Sequence, residues 1–286
     1  MLTRSEWEKE KRKPSVRQPH SNMVKHPFEN KLSGFSIDTP QYDKEKNHLL
    51  FRCDEFKKEH NGKHILFTGC SVTQGIGLEL EEVWAHKLYT KISENEKVSG
   101  YYNLGVPATG IFFIVSNLFK YFNNYGNPNV IFINLSDMHR FYSVQGIDSD
   151  IKTPYLHKDM VNILSNSIYH DQEWSNEQDV LSYSRWVNYY DYVMMLESYC
   201  KTNNIELFIF SYAGPTNEIF KKFELKSFYD IDPVYIIDQL IEYAADNKVD
   251  EYFLTARDKM HEGHGLHGKW AEKMFEIYSM EGNHVN

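Results

Sequence analysis

A serine in a glycine-rich turn is the first feature of this sequence that could do chemistry. Ser71 lies in the run GCSVTQGIG at 69–77, which follows the short apolar run HILFT at 64–68. A serine on a tight turn between a strand and a helix faces a bound substrate, and its own N–H can point toward an oxyanion. The turn therefore predicts a nucleophile, although a serine that only caps the following helix would look the same.

A carboxylate and a histidine near the end of the chain could supply the base that such a serine needs. Asp258 precedes His261 by three residues. A serine hydroxyl is a poor nucleophile until an adjacent base takes its proton, and a carboxylate on the other ring nitrogen holds the imidazole in one tautomer. We predict that Asp258 orients His261 and that His261 activates Ser71. The structural alternatives are a helix-capping carboxylate and a solvated loop histidine.

Other chemistries fit these residues less well. The turn at 69–77 has no lysine for a phosphate-binding GxxxxGK[ST] loop and does not supply the dinucleotide pattern GxGxxG. His261, His264 and His267 suggest a metal, since histidine is a common zinc ligand. Gly263 and Gly265, however, disfavour the helix that would bring these rings to one face, and the spacing HExxH is absent. We therefore expect no metal and no cofactor.

Strand and helix patterns alternate along most of the chain. Apolar runs predict strands at 64–68, 101–104, 130–135 and 205–211, and helical spacing predicts helices at 81–94, 110–123, 177–203, 232–247 and 264–280. This alternation favours a parallel sheet with helices on both faces, a three-layer α/β/α fold. Ligands of such folds bind at the carboxyl ends of the strands, where the turn at 69–77 lies.

Two segments stand apart from this pattern. The first thirty residues are polar, with a mild basic excess and weak periodicity. We divide the chain into an N-terminal arm or adaptor at 1–60, with a disordered tail as the alternative, and a domain at 61–286. Residues 139–175 are irregular and polar, and we expect them to form a cap or insertion over one edge of the sheet.

Composition and charge disfavour several classes of function. The formal net charge of -9 disfavours nucleic-acid binding, which needs clustered Lys and Arg. The sequence has no apolar run long enough for a membrane span, and its charged start lacks the apolar region of a secretory signal. Cys53, Cys70 and Cys200 are odd in number and far apart, which favours reduced thiols in the cytoplasm. We expect Cys70 to be a buried small apolar residue.

Taken in order, these motifs resemble the SGNH/GDSL hydrolase superfamily, in the variant whose first block reads Gly-Cys-Ser. Similar sequences occur among bacteriophage-encoded hydrolase-like proteins. The matching positions are Gly69, Ser71, Thr73 and Gly75 in the first block, and Asp258, His261 and His267 in the last. The resemblance spans residues 63–280 and implies a flavodoxin-like SGNH hydrolase fold. It also implies a serine esterase or acetylesterase, with Ser71 as nucleophile and His261 as general base and then general acid.

The resemblance further implies an oxyanion hole. The family uses the nucleophile's own N–H, a glycine N–H of the second block and an asparagine side chain of the third. The second-block glycine aligns with Ala108, which still carries an N–H, or with Gly105 in a shifted register. The third block reads NLSD at 134–137 instead of Gly-x-Asn-Asp. Asn134, Ser136 and Asp137 are therefore the candidates for the missing donor.

The remaining expectations concern substrate and partners. Arg140, just after the third strand, and His267, at the start of the last helix, are candidate substrate contacts; a surface salt bridge and a packing role are their alternatives. The expected substrate is a carboxylic ester, first of all O-acetyl groups on a carbohydrate.

Two other functions remain open. A lipase or thioesterase for longer acyl chains is one of them. The other is a non-catalytic structural or glycan-binding protein, for instance a phage virion component that residues 1–60 anchor to a protein partner. In that case the protein would be associated with the virion.

Overall fold

The computed structural model describes residues 47, 49, 51–107, 109–136, 176–213, 216, 220, 221, 225–250, 252–257 and 261–282, with the side chains of the helix at 176–202 described from residue 187. The predicted arm before residue 47, the predicted cap at 139–175 and the candidates Ala108, Asp137, Arg140 and Asp258 lie outside these residues.

Four strands and six α-helices make up the described part of the chain. The strands are β1 (Ile65–Gly69), β2 (Tyr102–Asn103), β3 (Val130–Leu135) and β4 (Glu206–Ser211). The helices are α1 (Ser71–Gln74), α2 (Trp84–Ser93), α3 (Ile111–Tyr125), α4 (Asn176–Thr202), α5 (Pro233–Asp246) and α6 (His264–Gly282), and a 3₁₀ turn (Leu80–Glu82) precedes α2. None of the helices among the described residues is both long enough and apolar enough to cross a membrane.

The sheet is parallel throughout and has the order β2-β1-β3-β4. Its central strands are covered on both faces, since every residue of β1 and β3 is buried. Phe67, Phe132 and Phe208 lie side by side across β1, β3 and β4. This register brings the carboxyl ends of the three strands to one edge of the sheet.

Helices cover both faces of this sheet. The phenylalanine row packs against α2 and α6, with Phe67 5.8 Å from the ring of Trp84 and Phe132 5.8 Å from the ring of Tyr278. Neighbouring residues of a strand point to opposite faces, and Tyr102 of β2 lies in register with Leu66 on the other face. That face carries α3, which packs on α4. The predicted α/β class, with a parallel sheet between two helical layers, is confirmed.

The core of the domain also includes residues that precede β1. Phe51 and Arg52 are fully buried, and the ring of Phe56 meets that of Tyr121 edge-on at 5.0 Å. Asn47 shapes this segment, because its Oδ1 accepts the N–H groups of Leu49 and Phe51. Phe51, Arg52 and Phe56, which lie in the segment predicted to be an arm, thus pack in the core of the domain.

Candidate functional site

Ser71 occupies the junction between β1 and α1. It is the first residue of the helix and only 4% exposed. The first N–H groups of a helix have no carbonyl acceptor within the helix, so the amide of Ser71 can serve an external acceptor. Gly69 has φ +156°, and a Cβ there would lie 2.1 Å from Thr73 Oγ1. Glycine at this position therefore lets α1 fold back tightly over the end of β1.

A chain of contacts links Ser71 to the ends of the neighbouring strands. Its Oγ lies 4.0 Å from the Sγ of Cys70, which is fully buried as predicted. The Cys70 thiol in turn lies 3.8 Å from the hydroxyl of Tyr212, and the Tyr212 amide donates to Asn134 Oδ1 at 3.1 Å. Ser71 is thus connected, through Cys70 and Tyr212, with the ends of β3 and β4.

The third block places two polar donors at this edge. Asn134 lies beside Gly69 in the sheet, and its Nδ2 is buried with no hydrogen-bond partner among the described residues. Ser136 follows β3 and is fully buried; its carbonyl accepts the hydroxyl of Tyr189 at 2.8 Å. The Ser136 Oγ also has no partner within the described part of the chain. Both predicted candidates therefore hold a buried donor that is not engaged by the described residues.

The second block packs against α1. Asn103 Nδ2 donates to the carbonyl of Thr73 at 2.8 Å, and Asn103 Oδ1 accepts the Gly105 N–H at 2.8 Å. A Cβ on Gly105 would lie 2.6 Å from the amide nitrogen of Gln74. Gly105 thus allows close packing on α1, and its N–H is already engaged.

The last block is built as two antiparallel chain segments. The Ala256 N–H donates to the His261 carbonyl at 2.9 Å, and Gly263 N–H donates to Leu254 O at 3.0 Å. A Cβ on Gly263 would lie 2.3 Å from the carbonyl of Tyr252, so only glycine allows this approach. These bonds fix the backbone at His261, which is half-buried.

Arg257 ties this last block to the segment that leaves Ser71. Its N–H donates to Gly77 O at 3.1 Å, and its Nη1 bonds Glu82 Oε2 at 2.7 Å. Its guanidinium also lies 4.7 Å from the ring centroid of Tyr252. Burial raises the pKa of Glu82, but hydrogen bonds from Arg257 and the Glu79 amide outweigh burial and lower it. Arg257 was not among the residues predicted from the sequence. The pattern that could have indicated it is an arginine directly before Asp258 together with three glutamates before α2.

His267 has a clear structural contact. It is 1% exposed, and its Nδ1 accepts the N–H of Trp84, the first residue of α2, at 3.0 Å. Burial lowers its pKa to about 3, so the ring is neutral and carries its proton on Nε2. The bond joins α6 to the start of α2, and the predicted substrate contact of His267 stays a prediction.

The histidines of the last block have separate partners. His264 Nε2 lies 2.8 Å from Asp250 Oδ2, whereas His267 bonds the backbone of α2. Over the residues that the structure describes, no group of three or more His, Cys, Asp or Glu side chains is arranged to hold a metal ion.

The structure thus brings most of the described candidates to one edge of the sheet. Ser71, Gly105, Asn134 and Ser136 lie around the carboxyl ends of β1 and β3. The block that contains His261 is hydrogen-bonded to the loop that follows Ser71. The triad of Ser71, His261 and Asp258 stays a prediction.

Comparison with known proteins gives a distant structural similarity. No protein-family model matches the chain, and no curated protein matches it. Among solved structures, the chain is similar to a member of the lipolytic protein G-D-S-L family from Veillonella parvula DSM 2008. The sequence identity is 13% and the TM-score 0.40, over 75% of this chain and 97% of that chain.

Proposed function

We propose that this protein is a serine hydrolase that cleaves carboxylic esters, with Ser71 as nucleophile, His261 as general base and Asp258 as the carboxylate that orients His261. One observation carries the proposal: Ser71 begins a helix at the carboxyl end of the central strand β1, and the block that contains His261 is bonded to the loop leaving that helix. Nucleophile and base must lie within hydrogen-bond reach for this chemistry.

The reaction takes place in two steps. In the first, Ser71 Oγ attacks the ester carbonyl carbon while His261 takes the hydroxyl proton. The tetrahedral intermediate collapses, the alcohol leaves with the proton from His261, and the acyl group stays on Ser71. In the second step His261 takes a proton from water, and the resulting hydroxide attacks the acyl carbonyl. Collapse releases the carboxylic acid, and the proton on His261 returns to Ser71.

Three donors form the proposed oxyanion hole. The Ser71 N–H and the Ala108 N–H supply two of them, and we assign the third to the hydroxyl of Ser136. The Ser136 position supports this assignment, because the hydroxyl is buried directly after β3 and has no partner among the described residues. Asn134 Nδ2 is the alternative donor. Gly105 is disfavoured, since its N–H already donates to Asn103.

The surroundings of Ser71 favour a small acyl group. The serine is 4% exposed, and contacts run from its Oγ to the Cys70 thiol, from that thiol to the Tyr212 hydroxyl, and from the Tyr212 amide to Asn134. An acetyl group needs little space there, whereas a long acyl chain would need an apolar groove beside Ser71. We therefore propose acetyl esters as substrates, first of all O-acetyl groups on a carbohydrate. Arg140 is the candidate contact for an anionic group of that carbohydrate.

An ester panel tests this function. Acetyl, butyryl and octanoyl esters of one chromogenic alcohol, together with an O-acetylated oligosaccharide, are assayed against wild type and Ser71→Ala. We expect acetyl esters to react fastest, and Ser71→Ala to lose about 10⁴-fold or more in kcat, as in other serine hydrolases. Equal hydrolysis by both proteins would contradict the proposal, and a preference for octanoyl esters would favour the lipase or thioesterase alternative.

A non-catalytic role is the second candidate, and the third block favours it. Serine stands at position 136, where the resemblance implies asparagine, and loss of an oxyanion donor costs about 10²–10³-fold in rate. On this view the domain binds an acetylated glycan or serves as part of a phage particle, anchored through residues 1–60. A wild type that binds such a glycan but hydrolyses no ester of the panel would support it. Deletion of residues 1–46 with an unchanged assembly would remove the anchoring role of that part of the arm.

A further inference from the structure

Arg52 is hydrogen-bonded to residues 69–78, called here the nucleophile turn, and its whole side chain is buried. It is 0% exposed, its Nη1 donates to Gly75 O at 2.8 Å and to Gln74 O at 3.4 Å, and its Nη2 donates to Leu78 O at 2.9 Å. These three carbonyls belong to the end of α1 and the loop that leaves it. One side chain thus binds the segment that follows Ser71 at three points.

Donors from outside α1 serve the carbonyls at its end, and Gly75 O also accepts the N–H of Leu78 at 3.2 Å. The last carbonyls of a helix have no partner within the helix, and a cation is favoured at that end. Gly75 turns the chain sharply there, with φ 81° and ψ 48°, and a Cβ on it would lie 2.1 Å from Val83 Cγ2. A planar guanidinium presents several N–H donors in a fixed fork, which a lysine ammonium cannot reproduce.

The segment that carries Arg52 is itself held in place. Asn47 Oδ1 accepts the Leu49 and Phe51 N–H groups at 3.1 and 3.0 Å, and Asn47 Nδ2 donates to Asp54 O at 3.4 Å. Phe51 is fully buried, and its ring lies 5.6 Å from that of Phe56. The guanidinium is therefore attached to a rigid part of the core rather than to a mobile loop.

We propose that Arg52 is a positioning residue for the Ser71 nucleophile. Its guanidinium fixes the exit of α1 and so sets the direction of the Ser71 Oγ and N–H toward the ester. This inference rests on the proposed hydrolase function. A displacement of about 1 Å in a reacting group can cost on the order of 10²-fold in rate. Arg52 also lies before residue 63, outside the part of the chain that resembles the SGNH/GDSL superfamily.

Labelling kinetics with a fluorophosphonate test the proposal on the full chain. The second-order rate constant for labelling of Ser71 is measured for wild type, Arg52→Ala and Arg52→Lys, at a temperature where circular dichroism shows each protein folded. We expect Arg52→Ala to react about 10²-fold more slowly than wild type, and Arg52→Lys to fall between them. Added guanidinium ion, at tens of millimolar, is expected to raise the labelling rate constant of Arg52→Ala at least tenfold and to leave those of the other proteins unchanged. A folded Arg52→Ala that is labelled at the wild-type rate would overturn the proposal.

The control is Ile92→Ala, which removes a buried side chain at the far end of α2. It is expected to lose stability but keep the wild-type labelling rate and show no guanidinium rescue. If Arg52→Ala does not fold, Arg52→Lys decides: slower labelling supports the proposal, and the wild-type rate contradicts it.

Amide hydrogen exchange over 69–78 separates this inference from the function on which it rests. A wild type without label at Ser71 would refute the proposed hydrolase. In that case faster exchange of 69–78 in Arg52→Lys, with the exchange of α3 unchanged, would still show that Arg52 holds this segment in place. Unchanged exchange of both segments would also refute the role of Arg52 in holding this segment.

Discussion

The backbone N–H of Arg257 donates to the carbonyl of Gly77 at 3.1 Å, and this bond joins the segment before His261 to the segment after Ser71. The two residues are 180 positions apart in the sequence. Arg257 Nη1 also donates to the Gly77 carbonyl, at 3.3 Å. The ion pair of Arg257 with Glu82 reinforces the junction. The loop that leaves the helix of the proposed nucleophile is thus bonded directly to the segment before the proposed base.

The ion pair at this junction is expected to contribute measurably to stability. The side chains of Arg257 and Glu82 are 19% and 24% exposed, between the exposed and buried cases. Glu82→Gln should therefore lower the free energy of unfolding by about 1–2 kcal/mol in urea denaturation at pH 7. Glu272→Gln is the control, because the Lys269–Glu272 pair is about half exposed and its loss should cost less than about 0.5 kcal/mol. Equal losses in both variants would contradict this ranking.

The same pair should give a pH dependence of defined sign. The pKa of Glu82 is lowered in the folded state despite its burial, because of its bonds to Arg257 and the Glu79 amide. A carboxylate with a lowered folded-state pKa stabilises the protein above its unfolded-state pKa, and this stabilisation is lost as pH falls through the folded-state pKa. The stability difference between wild type and Glu82→Gln should therefore shrink in urea titrations from pH 6 toward pH 3. A difference that grows on acidification would refute this.

His267 should make folding sensitive to mild acid. Burial lowers its pKa from 6.5 to about 3. Between these two pH values His267 is therefore protonated in the unfolded chain and neutral in the folded protein. Stability is then lost as pH falls from 6.5 toward 3, by up to about 1.4 kcal/mol per pH unit for this one group. His267→Asn keeps an acceptor for the Trp84 N–H and should show a shallower slope between pH 6 and 4.5. Between pH 7.5 and 8.5 both slopes should coincide, and identical slopes in the acid range would contradict the prediction.

Ser136 is expected to affect the rate rather than the fold. Its buried hydroxyl has no hydrogen-bond partner in the described part of the chain, so Ser136→Ala should change the free energy of unfolding little. As the proposed oxyanion donor, its loss should lower kcat/KM for an acetyl ester by about 10²–10³-fold. Thr68→Val is the control, since Thr68 Oγ1 is another buried hydroxyl without a partner among the described residues. Full activity of Ser136→Ala would shift the assignment to Asn134.

Truncation tests where the folded body begins. Phe51 and Arg52 are 0% exposed and Phe56 is 7% exposed, and loss of a buried phenylalanine side chain typically costs about 3–5 kcal/mol. A chain that starts at residue 61 should therefore be unfolded, or less stable by several kcal/mol than one that starts at residue 47. Circular dichroism and thermal unfolding of the two truncations compare them. Equal stability would show that residues 47–60 are dispensable.

Most of the fold could be predicted from hydrophobic pattern. The third strand lies at residues 130–135, as predicted, because a continuous apolar run buried on both faces has no competing periodicity. Helix α2 begins at Trp84 rather than at residue 81, because residues 80–82 form a 3₁₀ turn closed by a capping box between Glu79 and Glu82. The second strand is only two residues long, since the Tyr101 N–H donates to Asp54 Oδ2 instead of continuing the ladder.

The supporting residues of the site were harder to predict. Gly69 and Ser71 are recognisable because a tight turn restricts residue type. Arg52 bonds only to backbone carbonyls in its three contacts with the nucleophile turn. Because every residue has a backbone carbonyl, residue types do not indicate these contacts. Its position within the segment 1–60, which was assigned to the N-terminal arm, also hid it, although its neighbours Phe51 and Cys53 are apolar.

The central claim is that Ser71 is a nucleophile that an adjacent base activates. The most direct measurement is mass spectrometry of the full chain after treatment with a fluorophosphonate, followed by peptide mapping. We predict a single adduct on Ser71 in wild type, a strongly reduced adduct in His261→Ala, and none in Ser71→Ala. An unlabelled wild type, or equal labelling of wild type and Ser71→Ala, would contradict the claim.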